Sequence, residues 1–190
     1  MALTNSAELA ERMALLRSHG VTRDPALMTH EADGPWYYQQ VDLGFNYRMT
    51  ELQAALGVSQ MTRLDSYIAR RHELARRYDE KLAQLPVLTP WQHPDSYSGL
   101  HLYVVRLRLE QLDKNHRQVF EALREQGIGV NLHYIPVHTQ PYYQGLGFAE
   151  GDFPQSEQYY REAISLPMFQ TMSEQQQDIV IAALGGALGV

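Results

Sequence analysis

The chain is organised around the stretch Leu43-Gly44-Phe45-Asn46-Tyr47-Arg48-Met49-Thr50-Glu51-Leu52-Gln53-Ala54-Ala55-Leu56-Gly57. It predicts an extended segment that turns through a glycine and an asparagine and then begins a helix. Thr50 is a favourable N-cap, and Gln53, three residues later, completes a capping box. The first free backbone N–H groups of this helix are therefore expected just beyond Asn46 and Arg48. A helix start with an amide and a guanidinium beside it can bind an anion.

The composition is typical of a globular protein. The chain has 190 residues, of which 44% are hydrophobic and 20% charged, which is enough to bury a sizeable core. Its net charge of −6 argues against a nucleic-acid or anionic-membrane surface, since both need clustered Lys and Arg. It has no cysteine, which excludes disulfides, thiolate metal sites and cysteine nucleophiles. Because neither a signal peptide nor a run of membrane-spanning length is recognisable, we expect a cytoplasmic protein.

Helical and extended patterns alternate as far as Pro86. A first helix, capped by its first residue, is predicted over Asn5–Gly20, and a short strand over Trp36–Val41. After the capping box, the apolar positions keep a helical spacing that is broken near Arg63–Asp65. Five basic residues of the longer helix are expected on a solvated outer face: Arg70, Arg71, Arg76, Arg77 and Lys81.

The pattern changes after Pro86. Strands are predicted over Leu100–Leu107 and Ile128–Tyr134, on either side of a helix over Asn115–Gln126. A helix from Pro154 to about Ile164, a short strand and a last helix from Ser173 to Gly185-Gly186 follow. This order predicts the α/β class, with a small α+β domain in which helices pack on one face of a short sheet.

Asn46 and Arg48 are the first candidate ligand-binding residues. The amide of Asn46 supplies N–H donors without a counter-charge, and the planar fork of Arg48 can bind an anion bidentately. The alternative is structural: Asn46 tolerates a left-handed turn, and Arg48 pairs with a surface carboxylate.

A second candidate segment contains His133, Tyr134 and His138 beside two prolines. Their rings and N–H or O–H donors can hold a uracil ring or a sugar hydroxyl. A metal site is disfavoured because no carboxylate or third ligand lies at a familiar spacing. In the alternative interpretation, His133 belongs to a sheet face and His138 points to solvent.

Three stretches carry a family resemblance. Gly44-Phe45-Asn46-Tyr47-Arg48-Met49-Thr50, with the Leu-Gln-Ala-Ala-Leu that follows, resembles the DegT/StrS-type sugar aminotransferases, which are fold-type I enzymes dependent on pyridoxal phosphate (PLP). The segment from Gly127 to Tyr143 resembles the substrate-side segment of the family's pseudaminic acid pathway enzyme, a 4-aminotransferase of a UDP-linked 4-keto-6-deoxy sugar. The match from Phe153 to Phe169 is weaker and resembles the family's last segment before its terminal helix.

The resemblance implies an architecture and roles for individual residues. Residues 1–62 correspond to the incomplete end of a PLP-binding large domain, 63–86 to a linking helix and 87–190 to the C-terminal small domain. Asn46 would contact the cofactor phosphate of the partner subunit, so a homodimer with a shared active site is implied. The substrates would be a nucleotide sugar and an amino donor such as glutamate. The implied substrate-binding residues are Arg48, Asn131, His133, Tyr134, Pro136 and His138.

The resemblance also implies a lysine that binds the cofactor covalently and shuttles a proton. The only lysines are Lys81 and Lys114, and neither lies in the family's S-x-x-x-K context. In the family this lysine shortly precedes a Met-x-x-Thr-Asn strand, whose end the first five residues match. We therefore expect the catalytic lysine upstream of Met1, no catalytic residue within the chain and no transamination by the chain alone. We also expect self-association, because the first helix and strand would expose surface that the absent sheet covers.

Other functions are compatible with the same residues. A sugar dehydratase of the family, in which a histidine replaces the lysine, differs at a position that this sequence does not contain. The chain could also be a binding module that kept half of the fold without its chemistry. An unrelated helical scaffold is the third alternative.

Overall fold

The computed structural model describes residues 2–190. The chain divides into a first unit that ends at Thr62 and a second unit, Arg63–Val190.

The first unit contains two helices and a two-residue hairpin ladder. Helix α1 spans Ala7–Leu16, strands β1 (Val21–Thr22) and β2 (Gln39–Gln40) pair antiparallel, and helix α2 spans Glu51–Met61. The predicted capping box of α2 is confirmed, because Gln53 N–H donates to Thr50 Oγ1 and Thr50 N–H to Gln53 Oε1.

Three predicted boundaries in this unit are wrong, including the end of α1, which lies at Leu16 and not at Gly20. Helix α1 is capped by Ser6, whose hydroxyl accepts the Leu9 N–H at 3.3 Å, and not by Asn5. The strand predicted over 36–41 is reduced to Gln39–Gln40, because its partner β1 is only two residues long.

The first unit buries almost no apolar side chain. Neither α1 nor α2 has a buried residue, and every buried hydrophobic residue within 2–190 lies at or after Leu74. Large side chains such as Leu3, Leu52 and Leu56 are exposed. The predicted exposure of apolar surface in this part of the chain is confirmed.

The second unit is built on a three-stranded antiparallel sheet in the order β3-β4-β5. Strands β3 (Val87–Leu88), β4 (Tyr103–Leu107) and β5 (Ala163–Leu166) pair with Val87 opposite Leu107 and Val105 opposite Ile164. Its helices are α3 (Leu64–Leu82), α4 (His116–Glu125), α5 (Pro141–Gln144), α6 (Pro154–Glu162) and α7 (Glu174–Leu188). The predicted combination of helices with a short sheet is confirmed.

The core of this unit lies where α3, α4 and α7 meet the sheet. Side chains alternate along β4, with Tyr103, Val105 and Leu107 fully buried, as the period of two requires. Leu74 and Tyr78 of α3 and Leu184 of α7 join them in one hydrophobic cluster.

The strand predicted over Ile128–Tyr134 is wrong. This segment makes a single antiparallel bridge, Asn131 with Ser165. The edge of β4 is instead occupied by Ala163–Leu166, in which all four residues are buried. The short strand predicted between the last two helices is present as β5, and all four of its residues pair with β4.

The last helix also differs from its prediction. It does not stop at Gly185-Gly186 but continues to Leu188 and ends at Gly189, which has a left-handed φ of 85°. Gly185 is buried within the helix, between the buried Leu184 and Ala187. Packing of the helix therefore outweighs the low helix propensity of the glycine pair.

The basic residues of α3 do not all face solvent. Arg70 donates to Met172 O at 2.9 Å, and Arg77 pairs with Asp178 at 2.7 Å. Arg71 Nη1 donates to three carbonyls, those of Leu100, His101 and Met168, at 3.0 to 3.2 Å. Only Arg76 and Lys81 of the five are exposed, so the predicted solvated stripe is wrong for the other three.

Candidate functional site

The Asn46 segment is held by an antiparallel set of backbone hydrogen bonds to the end of α1. Phe45 N–H donates to Leu16 O at 2.7 Å, Tyr47 N–H to Arg17 O at 3.0 Å and His19 N–H to Phe45 O at 2.9 Å. An isolated bridge pairs Ser18 with Asn46. The backbone on both sides of Asn46 is therefore positioned before α2 begins.

Two glycines make this close approach possible. A Cβ at Gly44 would lie 2.2 Å from the backbone nitrogen of Gly20, and one at Gly20 would lie 2.0 Å from the backbone oxygen of Asp42. Gly20 also has a φ of 68°, which favours glycine. The glycine of the motif is thus required by backbone packing.

Asn46 and Arg48 present free donors. Both residues are exposed, and neither side chain has a hydrogen-bond or ion-pair partner within residues 2–190. The alternative in which Arg48 pairs with a surface carboxylate is therefore wrong within the described chain. Arg48 also lines a cavity of about 570 Å³, together with Arg23.

In the second unit, Asn131 and His133 meet the same residue of β5. Asn131 exchanges backbone hydrogen bonds with Ser165, at 2.8 and 3.3 Å, and His133 Nδ1 lies 2.7 Å from Ser165 Oγ. The Asn131 side chain accepts the Leu132 N–H at 2.8 Å. These contacts place the two residues on one edge of the sheet.

Tyr134 follows His133 along the chain, and its side chain lies in solvent beside this edge of the sheet. The His133–Tyr134 peptide bond is cis, and the two rings make an edge-to-face contact with centroids 4.6 Å apart. Tyr134 is exposed. Its ring face and hydroxyl are therefore available to a ligand.

Pro136 and His138 belong to the helical turn around Val137–Thr139, and both side chains are buried. Pro136 is buried, and its carbonyl accepts hydrogen bonds from the Thr139 N–H and hydroxyl. His138 is also buried, with Nε2 at 2.9 Å from Glu157 Oε1. The alternative in which His138 points to solvent is wrong.

The Glu157 carboxylate makes two hydrogen bonds, one with His138 and one with the backbone of Gly151. Its Oε1 also accepts the Gly151 N–H at 2.7 Å. The hydrogen bond from His138, followed by that from Gly151, lowers the pKa of the Glu157 carboxyl below its ordinary value of 4.5. The pair joins the turn at His138 to α6, and His138 lines an aromatic cavity of about 370 Å³ together with Tyr143 and Phe148.

The seven predicted residues are divided between the two units. Asn46 and Arg48 belong to the first unit, and the other five belong to the second. Within the second unit Asn131, His133 and Tyr134 form one group, whereas His138 pairs with Glu157.

Sequence reasoning missed Glu157, Ser165 and Arg23. Glu157 and Ser165 are recognisable only through partners distant in sequence, His138 at 19 residues and His133 at 32 residues, and Arg23 only because it lines the same cavity as Arg48. No local pattern marks such a pair.

Neither a metal-binding cluster nor a membrane-spanning helix is present among residues 2–190. Among residues 2–190 no three His, Asp or Glu side chains are grouped so as to hold a metal ion. Over the same residues, no helix combines the length and apolar character needed to cross a membrane.

Comparison with known proteins identifies the class to which this fold and segment belong. The chain belongs to the DegT/DnrJ/EryC1/StrS aminotransferase family, whose model matches residues 1–185. The resemblance of the Asn46 motif is therefore confirmed.

Individual relatives support the same assignment. The chain is 37% identical over 187 residues to the spore coat polysaccharide biosynthesis protein SpsC of Bacillus subtilis, covering 97% of this chain and 48% of SpsC. Helicobacter pylori PseC, an aminotransferase involved in the biosynthesis of pseudoaminic acid, superimposes with a TM-score of 0.83 at 28% identity, over 98% of this chain and 47% of PseC. The PMP-form of the sugar aminotransferase Spr1654 from Streptococcus pneumoniae gives a TM-score of 0.84 at 26% identity, over 98% of this chain and 46% of that one. The chain therefore spans about half the length of the relatives that it matches.

Proposed function

We propose that this chain is the C-terminal part of a PLP-dependent aminotransferase that transfers an amino group, from glutamate, to C4 of a UDP-linked 4-keto-6-deoxy sugar. The observation that carries the proposal is the family match over residues 1–185, which includes the Asn46 segment. The names of two relatives support a sugar substrate, since SpsC acts in polysaccharide biosynthesis and PseC in pseudoaminic acid biosynthesis.

Asn46 is proposed to bind the cofactor phosphate. Its side-chain amide is exposed and without a partner within residues 2–190, and Thr50, the N-cap of α2, follows four residues later. An uncharged N–H donor near a helix N-terminus fits a phosphate ester. When bound, PLP supplies the electron sink through which an amino group moves between substrates.

The substrate site is proposed to be formed by Arg48, Asn131, His133, Tyr134, Pro136 and His138. Arg48 offers a bidentate fork to an anionic group. Tyr134 offers an exposed ring and hydroxyl beside the His133 ring, which suits a base or a sugar hydroxyl. Pro136 and His138 are buried, so their proposed role is to shape the site from beneath.

The whole enzyme is proposed to be a cytoplasmic homodimer in which Asn46 acts on the partner subunit's cofactor. Residues 1–62 would complete a large cofactor-binding domain, 63–86 would form a linking helix and 87–190 a small domain. The chain alone is expected to be inactive, because Lys114 donates to Ala187 O at 2.8 Å and Lys81 is exposed on the last turn of α3. Neither lysine lies in the S-x-x-x-K context of the family's catalytic lysine.

The test uses the protein with its upstream region, supplied with L-glutamate and a UDP-linked 4-keto-6-deoxy sugar. We expect 2-oxoglutarate and an amino sugar in equal amounts, and loss of PLP on dialysis from Asn46→Ala but not from the control Asn5→Ala. Dehydrated sugar without 2-oxoglutarate would replace the proposal with the dehydratase. Failure of the longer protein to retain PLP would favour a binding module.

A further inference from the structure

Ser165 is a buried polar residue in an otherwise apolar strand. It is the third residue of β5, whose sequence is Ala163-Ile164-Ser165-Leu166, and all four residues are buried. It lies opposite Val104 of β4 in the sheet register and exchanges two backbone hydrogen bonds with Asn131. Because its backbone is held on both sides, the position of its hydroxyl group varies only by rotation of its own side chain.

The Ser165 hydroxyl has one hydrogen-bond partner within residues 2–190. That partner is Nδ1 of His133, which lies 2.7 Å from Ser165 Oγ. A buried hydroxyl hydrogen without an acceptor costs free energy, so the hydroxyl donates to the acceptor that is within reach. His133 Nδ1 therefore accepts this hydrogen bond, and a ring nitrogen that accepts carries no proton.

This hydrogen bond determines the tautomer of His133. In a neutral imidazole, one nitrogen carries the proton and the other is an acceptor. With Nδ1 as the acceptor, the proton lies on Nε2. Within residues 2–190, Nε2 makes no hydrogen bond, and no Asp or Glu forms an ion pair with the ring. The Nε2–H group is therefore a donor without a partner in the described chain.

The surroundings of His133 differ from those of the second histidine in this segment. The Tyr134 ring is exposed and contacts the His133 ring edge to face, with centroids 4.6 Å apart and planes at 88°. His138, in contrast, is buried, and its Nε2 lies 2.9 Å from Glu157 Oε1. Of the two histidines, only His133 has an Nε2 without a partner within residues 2–190, and it lies next to an aromatic ring that a ligand can reach.

We propose that Ser165 is a positioning residue that holds His133 as a hydrogen-bond donor to the sugar substrate. Ser165 acts through His133: it fixes the ring and keeps the proton on Nε2, and the Nε2–H group donates to an oxygen atom of the sugar. A donor that is held in advance loses less ordering free energy when the ligand binds. The inference rests on the proposed function, which assigns His133 to the substrate site, and it adds Ser165 and the atom that makes the contact.

NMR of the 190-residue chain tests the hydrogen bond without any substrate. With nitrogen-labelled histidine rings at about pH 8, where an ordinary histidine is neutral, we expect His133 Nδ1 to give the resonance of an unprotonated nitrogen that accepts a hydrogen bond. In Ser165→Ala this resonance should move towards that of a free acceptor. The control Ser96→Ala, which changes an exposed serine, should leave it in place. A protonated Nδ1 in the wild type, or an unchanged resonance in Ser165→Ala, would overturn the inference.

Kinetics of the longer protein test the donor role with the UDP-linked 4-keto-6-deoxy sugar. We expect Ser165→Ala to raise the KM for this sugar about fivefold with kcat nearly unchanged, because the contact is weakened equally in the bound substrate and in the transition state. Val105→Ala is the control for lost stability: it truncates a buried side chain in the neighbouring strand β4 and should leave this KM unchanged.

Two substitutions of His133 test the same role without requiring Ser165→Ala to fold. His133→Gln keeps an N–H donor near the position of Nε2, whereas the shorter amide of His133→Asn lies near the position of Nδ1. We expect the KM for the sugar to rise less in His133→Gln than in His133→Asn. Equal rises in these two variants would contradict the assignment of the donor to Nε2.

The outcomes for the inference and for the proposed function are separable. If the longer protein transfers amino groups and the KM is unchanged in Ser165→Ala, or rises equally in Val105→Ala, the positioning role is wrong and the proposed function stands. If the longer protein has no aminotransferase activity, the proposed function is wrong and the donor role falls with it. NMR of the shorter chain then still decides the hydrogen bond between Ser165 and His133.

Discussion

Gly44 lies so close to the turn after α1 that a side chain has no room there. We expect Gly44→Ala to disrupt the backbone hydrogen bonds of Phe45 and Tyr47, because its Cβ would meet three backbone atoms at 2.2 to 2.6 Å. Backbone atoms cannot move aside as a flexible side chain can. Hydrogen exchange at the Phe45 and Tyr47 amides should become faster in the variant.

Gly57→Ala is the matched control for this change. Gly57 lies within α2, and no atom lies within 4 Å of the position that its Cβ would take. The alanine should stabilise the helix by about 1 kcal/mol. Unchanged exchange at Phe45 in both variants would show that the close approach of the two segments does not exist in solution.

Glu157 provides a residue whose contribution depends on pH. Its carboxyl has a lowered pKa in the folded state, caused first by the hydrogen bond from His138. Such a group stabilises the fold fully above its unfolded pKa, and this stabilisation is lost as the pH falls through the folded pKa. We expect Glu157→Gln to lower Tm at neutral pH and to reduce the fall in Tm between about pH 6 and about pH 3.

The control for this measurement is Glu150→Gln, at an exposed position in the turn that precedes α6. Its Tm should follow the wild-type pH profile. A Glu157→Gln profile parallel to that of the wild type would mean that the His138–Glu157 pair does not contribute to folding.

At the scale of a single element, helix α3 is held by contacts to residues that are distant in sequence. Through Arg71 it binds the carbonyls that precede β4 and follow β5. We expect Arg71→Met, which keeps an apolar stem but removes the donors, to lower the free energy of unfolding by about 2 to 3 kcal/mol. Leu100 and Met168 are buried, so their carbonyls would lose a partner that water does not readily replace.

Denaturant unfolding of Arg71→Met and of Arg76→Met measures this difference. Arg76 lies on the same helix and is exposed, so its replacement should change stability by less than about 0.5 kcal/mol. Equal effects of the two substitutions would assign the cost to the lost charge, and the three carbonyl contacts would carry no stabilisation.

At the scale of the whole molecule, the two units differ in what stabilises them. The second unit has a hydrophobic cluster that joins its sheet to three helices, whereas the first exposes the apolar side chains of α1 and α2. A unit of about 60 residues is marginally stable even with a core. We therefore expect the chain to self-associate through the first unit as its concentration rises.

Sedimentation velocity over a range of concentrations tests this expectation. Replacing Leu52 and Leu56 together by Asp should shift the chain towards the monomer. Ile179→Asp, at an exposed position of α7, should not have this effect. A wild-type chain that stays monomeric at high concentration would contradict the prediction.

The sequence by itself determined the features that depend on contacts three or four residues apart. These are the capping box of α2, that of α4 with Asn115 and Gln118, and that of α7 with Ser173 and Gln176. The Asn46 motif and its family were also recognisable, because they lie in one continuous stretch. Such features need no knowledge of the rest of the fold.

Tertiary structure alone decided the features whose partners are far apart in sequence. It reduced the strand predicted over Ile128–Tyr134 to a single bridge between Asn131 and Ser165, whereas the four residues of β5 pair with β4. It turned Arg71 towards Met168, 97 residues away, and buried His138 against Glu157. It also brought Arg23 to the cavity of Arg48. The periodicity of a sequence shows which face of a helix or strand is apolar. The orientation of a buried polar side chain depends instead on its hydrogen-bond partner, and the fold determines which partner is nearby.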